Sequence, residues 1–88
     1  MHRSLSYIDP QANLAKNVVV EPFVTIEKNV EIGSGTWIGS NVTIMEGARI
    51  GKNCEIFPGA VISAIPQDLK FDGEVSLVII GDNTIIRE

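Results

Sequence analysis

The chain has 88 residues, of which 44% are hydrophobic and 20% are charged, a length and composition that fit one small folded domain. Its formal net charge of -4 argues against nucleic acid as a partner, because phosphate binding normally requires a basic patch. A single cysteine excludes an internal disulfide, and no apolar stretch approaches membrane-spanning length, so we expect a cytoplasmic protein without a membrane span.

Aliphatic residues recur at every sixth position over most of the chain. They are Ile8, Leu14, Val20, Ile26, Ile32, Ile38, Ile44, Ile50, Ile56 and Ile62. An α-helix repeats its face about every 3.6 residues and a strand repeats its face every second residue, so a period of six indicates short strand segments. Because one unbroken strand of this length does not fit a small domain, the chain must turn once in each six-residue unit.

The turning points are marked by a second class of residue, three positions after each aliphatic. These positions hold Asn17, Phe23, Asn29, Gly35, Asn41, Gly47, Asn53 and Gly59. Apart from Phe23, all are Asn or Gly, the residues that most readily adopt the left-handed backbone conformation of a sharp corner. Small or β-branched residues lie two positions before the aliphatics, from Val18 to Ala60, and are predicted to point inward beside them.

Together these features predict an all-β fold, a parallel β-helix in which each coil contains three short strands. The predicted columns are Ile8, Ile26, Ile44 and Ile62 on one face, Leu14, Ile32 and Ile50 on the second, and Val20, Ile38 and Ile56 on the third. An antiparallel sandwich is the alternative, but it would tolerate drift in the spacing, and the aliphatic positions show none.

The period breaks after Ile62, because Asp68 and Glu74 occupy positions that would otherwise be aliphatic. Unpaired carboxylates are too costly to bury in a narrow core, so residues 63–77 are predicted to form a loop extruded from one corner. The period resumes at Val78 and continues to Ile86. We therefore interpret residues 1–88 as a single β-helix domain with one extruded loop, and expect binding chemistry in that loop.

The hexapeptide units, the loop sequence QDLKFDGE and the following IGDNTIIRE together resemble the acyl-carrier-protein-dependent UDP-N-acetylglucosamine O-acyltransferases of lipid A biosynthesis. The resemblance begins near Tyr7 and covers the rest of the chain. Many acyl- and nucleotidyltransferases share the hexapeptide units, whereas the Gln-Asp-Leu-Lys motif at this offset is much more specific. The resemblance implies a left-handed β-helix, a homotrimer, and active sites in clefts between subunits.

The same resemblance implies a reaction and a set of site residues. Enzymes of this family move a 3-hydroxyacyl chain from acyl carrier protein to the 3-hydroxyl of UDP-N-acetylglucosamine, with a histidine as general base. The acyl donor is a thioester, and neither a separate cofactor nor a metal is implied. The family's sugar-nucleotide loop corresponds to Gln67, Asp68 and Lys70, whose amide and carboxylate suit sugar hydroxyls and whose ammonium suits pyrophosphate charge.

The chain departs from the family pattern at the catalytic histidine, which in the family follows a few residues after the segment that corresponds to IIRE. The only histidine here is His2, outside the hexapeptide units. We therefore assign no catalytic residue and expect a truncated N-terminal portion of the enzyme that is inactive by itself. Cys54, at a small inward position, is predicted to be a buried structural thiol.

Val19, Trp37 and Phe57 are predicted to point outward from the third face. An exposed apolar patch commonly marks an interface, so we expect a contact between subunits there. The other two faces carry polar outward residues, which include Thr25, Thr43, Glu31 and Arg49.

Two other classes of protein remain open. A different hexapeptide-repeat enzyme is one alternative, such as a sugar acetyltransferase or a γ-class carbonic anhydrase. The carbonic anhydrase would need several metal-binding histidines, and the acetyltransferase has no reason to carry the Gln-Asp-Leu-Lys motif. A non-catalytic β-helical assembly module is the other alternative, although the strand-like TIIRE would leave its last coil uncovered.

Overall fold

The computed structural model of the protein describes residues 5–62 and 78–87. This part of the chain contains twelve short strands, each of which ends on an aliphatic residue of the six-residue period. The strands are β1 (Tyr7–Ile8), β2 (Asn13–Leu14), β3 (Val19–Val20), β4 (Thr25–Ile26), β5 (Glu31–Ile32), β6 (Trp37–Ile38), β7 (Thr43–Ile44), β8 (Ala48–Ile50), β9 (Glu55–Ile56), β10 (Val61–Ile62), β11 (Val78–Ile80) and β12 (Ile85–Ile86).

The strands form three parallel sheets, one on each face of the molecule. The first sheet has the order β1-β4-β7-β10, the second β2-β5-β8-β11, and the third β3-β6-β9-β12. Each strand therefore pairs with the equivalent strand of the next coil, and successive coils are joined by bonds such as that from Thr25 N to Val42 O at 2.9 Å. The predicted left-handed parallel β-helix, with three short strands per coil, is confirmed.

The inward aliphatic residues stack in the predicted columns. On the first face Ile8 lies opposite Ile26, Ile26 opposite Ile44, and Ile44 opposite Ile62. Burial of one such side chain stabilises the fold by about 1.5–3 kcal/mol. The buried apolar residues are Val18, Val20, Val24, Ile26, Val30, Ile32, Ile38, Val42, Ile44, Ala48, Ile50, Cys54, Ile56, Ala60 and Ile62.

The corners adopt the left-handed backbone conformation at all eight predicted positions, and Asn83 adds a ninth after the inserted segment. Phe23 shares this conformation, with a φ of 66°, although its side chain is 62% exposed. A bulky residue is strained there, so the geometry of the coil overrides the local preference of the residue.

A short polar column lies inside the corner between the second and third sheets. The Thr36 hydroxyl is buried, donates to the Gly51 carbonyl at 2.8 Å and accepts a hydrogen bond from Cys54 N at 3.2 Å. The Cys54 thiol is also buried and donates to the Gly81 carbonyl at 3.2 Å. The prediction of a buried structural thiol is therefore confirmed.

The break in the period corresponds to an insertion between β10 and β11. Ile32 pairs with Ile50, eighteen residues later, and Ile50 pairs with Ile80, thirty residues later. The fourth coil therefore carries twelve additional residues, and the columns continue through Ile80 and Ile86. The extruded loop predicted at residues 63–77 lies outside the described residues. Within the part of the chain that is described, no helix has the length and apolarity needed to cross a membrane.

Candidate functional site

The three predicted sugar-nucleotide residues, Gln67, Asp68 and Lys70, lie outside the described residues, as does His2. The structure does describe the two strands between which the three residues fall. Strand β10 ends in the first sheet and β11 begins in the second, so the segment 63–77 leaves and returns at the corner between these sheets. We call residues 27–29, 45–48 and 78 the root corner and treat it as the described part of the candidate site.

A series of hydrogen bonds links three coils at the root corner. The amide of Glu46 donates to Glu27 Oε1 at 3.1 Å. The amide of Gly47 donates to the Asn29 carbonyl at 3.2 Å, and the amide of Val78 donates to the Gly47 carbonyl at 3.1 Å. The series therefore ends on the first described residue after the inserted segment.

Arg49 adds side-chain hydrogen bonds to the same corner. Its Nη1 donates to the Asn29 carbonyl at 2.6 Å and to the Ala48 carbonyl at 3.1 Å, and its Nη2 donates to Asn29 Oδ1 at 2.8 Å. The ion pair between Arg49 Nε and Glu31 Oε1 is long, at 3.9 Å, and the Glu31 side chain is 59% exposed. Such a pair contributes about 0–1 kcal/mol, so the hydrogen bonds to Asn29 decide the position of Arg49.

The side chains of the root corner are of types that form hydrogen bonds and ion pairs, which can hold a backbone segment in place. Its ionisable side chains are Glu27, Lys28 and Glu46, with the guanidinium of Arg49 beside them. Among residues 5–62 and 78–87, no three His, Cys, Asp or Glu side chains are grouped so that they could hold a metal ion. These side chains can form ion pairs and hydrogen bonds, and we assign none of them a proton-transfer role.

Tyr7, on the first sheet, is the described residue with a perturbed pKa. Its hydroxyl donates to Asp9 Oδ2 at 2.9 Å, and this hydrogen bond is the main cause that raises the pKa of Tyr7. Tyr7 lies in the first coil, whereas the root corner lies in the second to fourth coils, so this perturbation belongs to the surface of the scaffold.

Two open grooves lie on the second sheet, and Glu31 and Ile50 line both of them. Their volumes are about 330 and 390 Å³. The larger groove is lined in part by Arg49, by Ile79 of β11 and by Asp82, which follows that strand. Grooves of this size and openness can contact part of a ligand but do not enclose one, so any ligand bound here needs walls from other parts of the protein.

The predicted apolar patch on the third face is partly exposed. Val19 is 40% exposed, whereas Trp37 and Phe57 are half-buried. Trp37 Nε1 donates to Glu21 Oε2 at 3.0 Å, and the Trp37 and Phe57 rings meet edge to face with centroids 5.8 Å apart. The Arg87 guanidinium lies 4.6 Å from the centre of the Phe57 ring. The contact between subunits predicted for this patch stays a prediction.

Arg49 and Asn29 are the residues whose connection to the candidate site the sequence analysis missed. Arg49 was assigned only an outward position, and Asn29 only a corner. A signal was available: within the described strands, Arg49 is the one cation at an outward position. The partner of a long side chain such as Arg49 is set by its rotamer, however, and the period does not determine that rotamer.

Comparison with known proteins identifies relatives of the chain. Residues 29–64 match the family described as bacterial transferase hexapeptide (six repeats). Among solved structures, LpxA from Bacteroides fragilis, a UDP-N-acetylglucosamine acyltransferase, is 55% identical over 100% of this chain and 34% of its own, with a TM-score of 0.90. The chain is a relative of the UDP-N-acetylglucosamine acyltransferases. The resemblance predicted from the sequence is therefore confirmed.

Two further solved acyltransferase structures are also similar to the chain. LpxA from Acinetobacter baumannii is 42% identical over 97% of this chain and 33% of its own, with a TM-score of 0.87. The Francisella novicida UDP-N-acetylglucosamine acyltransferase is 45% identical over 97% of this chain and 31% of its own, with a TM-score of 0.86. The chain thus spans about one third of the length of each of these acyltransferases. No curated protein sequence matches the chain.

Proposed function

We propose that the chain forms part of an acyltransferase that moves a 3-hydroxyacyl chain from acyl carrier protein to the 3-hydroxyl of UDP-N-acetylglucosamine, the first step of lipid A biosynthesis. The observation that carries this proposal is the 55% identity, over 100% of the chain, with the Bacteroides fragilis acyltransferase. Sequence identity of this extent to a UDP-N-acetylglucosamine acyltransferase favours this function over that of a different hexapeptide-repeat enzyme or of an assembly module. We further propose that the reaction takes place in the cytoplasm.

In this proposal, the segment 63–77 contributes to the sugar-nucleotide site. Gln67 and Asp68 bind sugar hydroxyls, and the Lys70 ammonium offsets the charge of the pyrophosphate. The acyl group arrives as a thioester on acyl carrier protein, and no separate cofactor takes part. The general base is a histidine that does not belong to these 88 residues and is supplied by another part of the enzyme.

The proposed assembly is a homotrimer in which a neighbouring subunit completes the site. Exposed aliphatic side chains support an interface on the third sheet, where Val19 is 40% and Ile85 is 56% exposed. The openness of both grooves on the second sheet also supports a site whose remaining walls come from elsewhere.

A chimera tests the proposal directly. The part of the Bacteroides fragilis acyltransferase that aligns with this chain is replaced by the 88 residues, and acyl transfer to UDP-N-acetylglucosamine is measured. An active chimera is expected, in which Lys70→Ala raises KM for the sugar nucleotide at least tenfold, because a charge-assisted contact is lost. Lys16→Ala, at an exposed corner of the first coil, is the matched control and leaves KM unchanged.

A folded chimera without activity, or one indifferent to Lys70→Ala, would contradict the proposal. Measured alone, the 88-residue polypeptide is expected to show no acyl transfer and weak or absent binding of UDP-N-acetylglucosamine, since its site is incomplete. Turnover by the purified polypeptide would refute the need for an external base. Micromolar binding that Lys70→Ala abolishes would show instead that the segment suffices to hold the nucleotide.

A further inference from the structure

The root corner differs from the other corners of its own coil. At those corners, the amide of the left-handed residue donates to the residue that precedes the equivalent corner residue of the previous coil; the pairs are Asn53 with Ser34 and Gly59 with Ser40. At the root corner, Gly47 donates instead to Asn29, its direct equivalent. Phe23, at a corner between the third and first sheets, likewise donates to its direct equivalent, Leu5. Within the third coil, however, this change is confined to the corner where the inserted segment leaves and returns.

The strands beside the root corner are also longer than the rest. Strands β8 and β11 contain three residues, whereas each of the other ten contains two. The additional residues are Ala48 and Val78, which pair with each other. The ladder between the third and fourth coils thus extends one residue further towards the root corner, and Val78 is the first residue that it holds after the inserted segment.

Arg49 stabilises this altered geometry through Asn29. The Asn29 carbonyl accepts from both the Gly47 amide, at 3.2 Å, and Arg49 Nη1, at 2.6 Å. Arg49 Nη2 simultaneously holds Asn29 Oδ1, so the planar guanidinium fixes the backbone and the side chain of one residue. Asn29 in turn orients Gly47, whose carbonyl receives the Val78 amide.

We propose that Arg49 is a positioning residue for the sugar-nucleotide segment: through Asn29 and Gly47, it fixes the point at which that segment rejoins the β-helix. The inference rests on the proposed function, in which Gln67, Asp68 and Lys70 belong to that segment. Arg49 also lines the larger groove on the second sheet, but both of its Nη atoms are engaged by Asn29, so this role needs no contact with the substrate.

Amide hydrogen exchange on the 88-residue chain tests the anchoring. Arg49→Ala removes charge-assisted hydrogen bonds, so exchange of the Val78 amide is expected to accelerate at least tenfold. The Asn53 amide, in an unaltered corner, serves as the internal reference and keeps its rate. Arg49→Lys keeps the charge but lacks the planar fork, and is expected to accelerate Val78 to an intermediate extent. Glu31→Ala, which removes only the long ion pair, is the matched control and leaves Val78 unchanged.

Kinetics of the chimera supply a second measurement that a merely structural role would not affect. Arg49→Ala is expected to raise KM for UDP-N-acetylglucosamine severalfold with little change in kcat, because the binding segment is displaced while the reacting groups remain. Loss of folded protein would instead lower kcat at constant KM. Arg49→Lys should recover part of the lost affinity.

The two proposals fail in different ways. Unchanged Val78 exchange in Arg49→Ala, or equal acceleration of Val78 and Asn53, would overturn the positioning role even if Lys70→Ala weakens binding. Accelerated Val78 exchange with an unchanged KM would also overturn it. If Lys70→Ala has no effect on KM while Val78 exchange responds as expected, the assignment of the sugar-nucleotide segment is wrong, although Arg49 still anchors the corner.

Discussion

Replacing Gly33 with alanine is expected to destabilise the β-helix, whereas the same change at Gly81 is not. Both glycines follow a strand-ending isoleucine of the second sheet. A Cβ added at Gly33 would lie 2.6 Å from the backbone carbon of Gly51 and 2.8 Å from the backbone nitrogen of Lys52. A Cβ added at Gly81 would have no heavy atom within 4 Å. The two substitutions therefore share their chemistry and their place in the repeat, and differ in the space available.

The expected difference follows from two contributions to stability. Alanine restricts the unfolded chain more than glycine does, which stabilises either variant by about 0.4–1 kcal/mol. Overpacking against a backbone that must shift costs about 1–3 kcal/mol, and this cost applies to Gly33→Ala alone. Because the first contribution is common to both variants, the free energy of unfolding of Gly33→Ala is expected to be about 1–3 kcal/mol lower than that of Gly81→Ala.

Urea unfolding followed by the fluorescence of Trp37, the single tryptophan, measures this difference. In a thermal scan, the same difference corresponds to roughly 4–8 °C in Tm for each kcal/mol in a domain of this size. Free energies of unfolding within about 0.5 kcal/mol of each other, the usual range for neutral surface substitutions, would refute the close approach of coils at Gly33.

Three further results are expected. Asp9→Asn should lower the pKa of Tyr7, the only tyrosine, as measured by its ultraviolet absorbance. Folding raises that pKa, so the contribution of Tyr7 to the free energy of unfolding is complete below about pH 10, which is the tyrosine pKa in the unfolded chain. The contribution is lost as the pH rises through the folded-state pKa. The free energies of unfolding of wild type and Asp9→Asn should therefore converge at higher pH. Phe23→Asn should raise Tm by relieving a left-handed backbone strain of about 1–2 kcal/mol, and an unchanged or lower Tm would count against that strain. The Cys54 thiol should react with a disulfide reagent only after unfolding, and rapid labelling of the folded chain would contradict its burial.

The β-helix could be predicted from the sequence because one physical requirement repeats along the chain. Every coil needs an inward aliphatic and a backbone that can turn, and Ile26 and Ile44 met this requirement in phase with Asn29 and Gly47. Phe23 shows that the spacing carries more information than the residue type, since it occupies a left-handed corner that its own preference opposes.

The details of the candidate site could not be predicted in the same way. The hydrogen bonds from Arg49 to Asn29 cross between coils and depend on the rotamer of a long side chain, which no period specifies. The Gln-Asp-Leu-Lys motif instead came from resemblance, since the segment that contains it follows no repeat. Its three residues, Gln67, Asp68 and Lys70, keep their predicted roles as proposals.

The insertion at the root corner makes the alignment of the coils independent of the length of the inserted segment. Strands β11 and β12, which follow the insertion, are aligned with the third coil by the residue at which the chain re-enters the ladder, Val78, and not by the number of residues that precede it. Lengthening or shortening the segment costs only a small change in loop-closure entropy, while the stacked isoleucines keep their neighbours. In the proposed function, in which this segment contacts the sugar nucleotide, substrate preference can therefore diverge through changes in one segment without a compensating change in the scaffold.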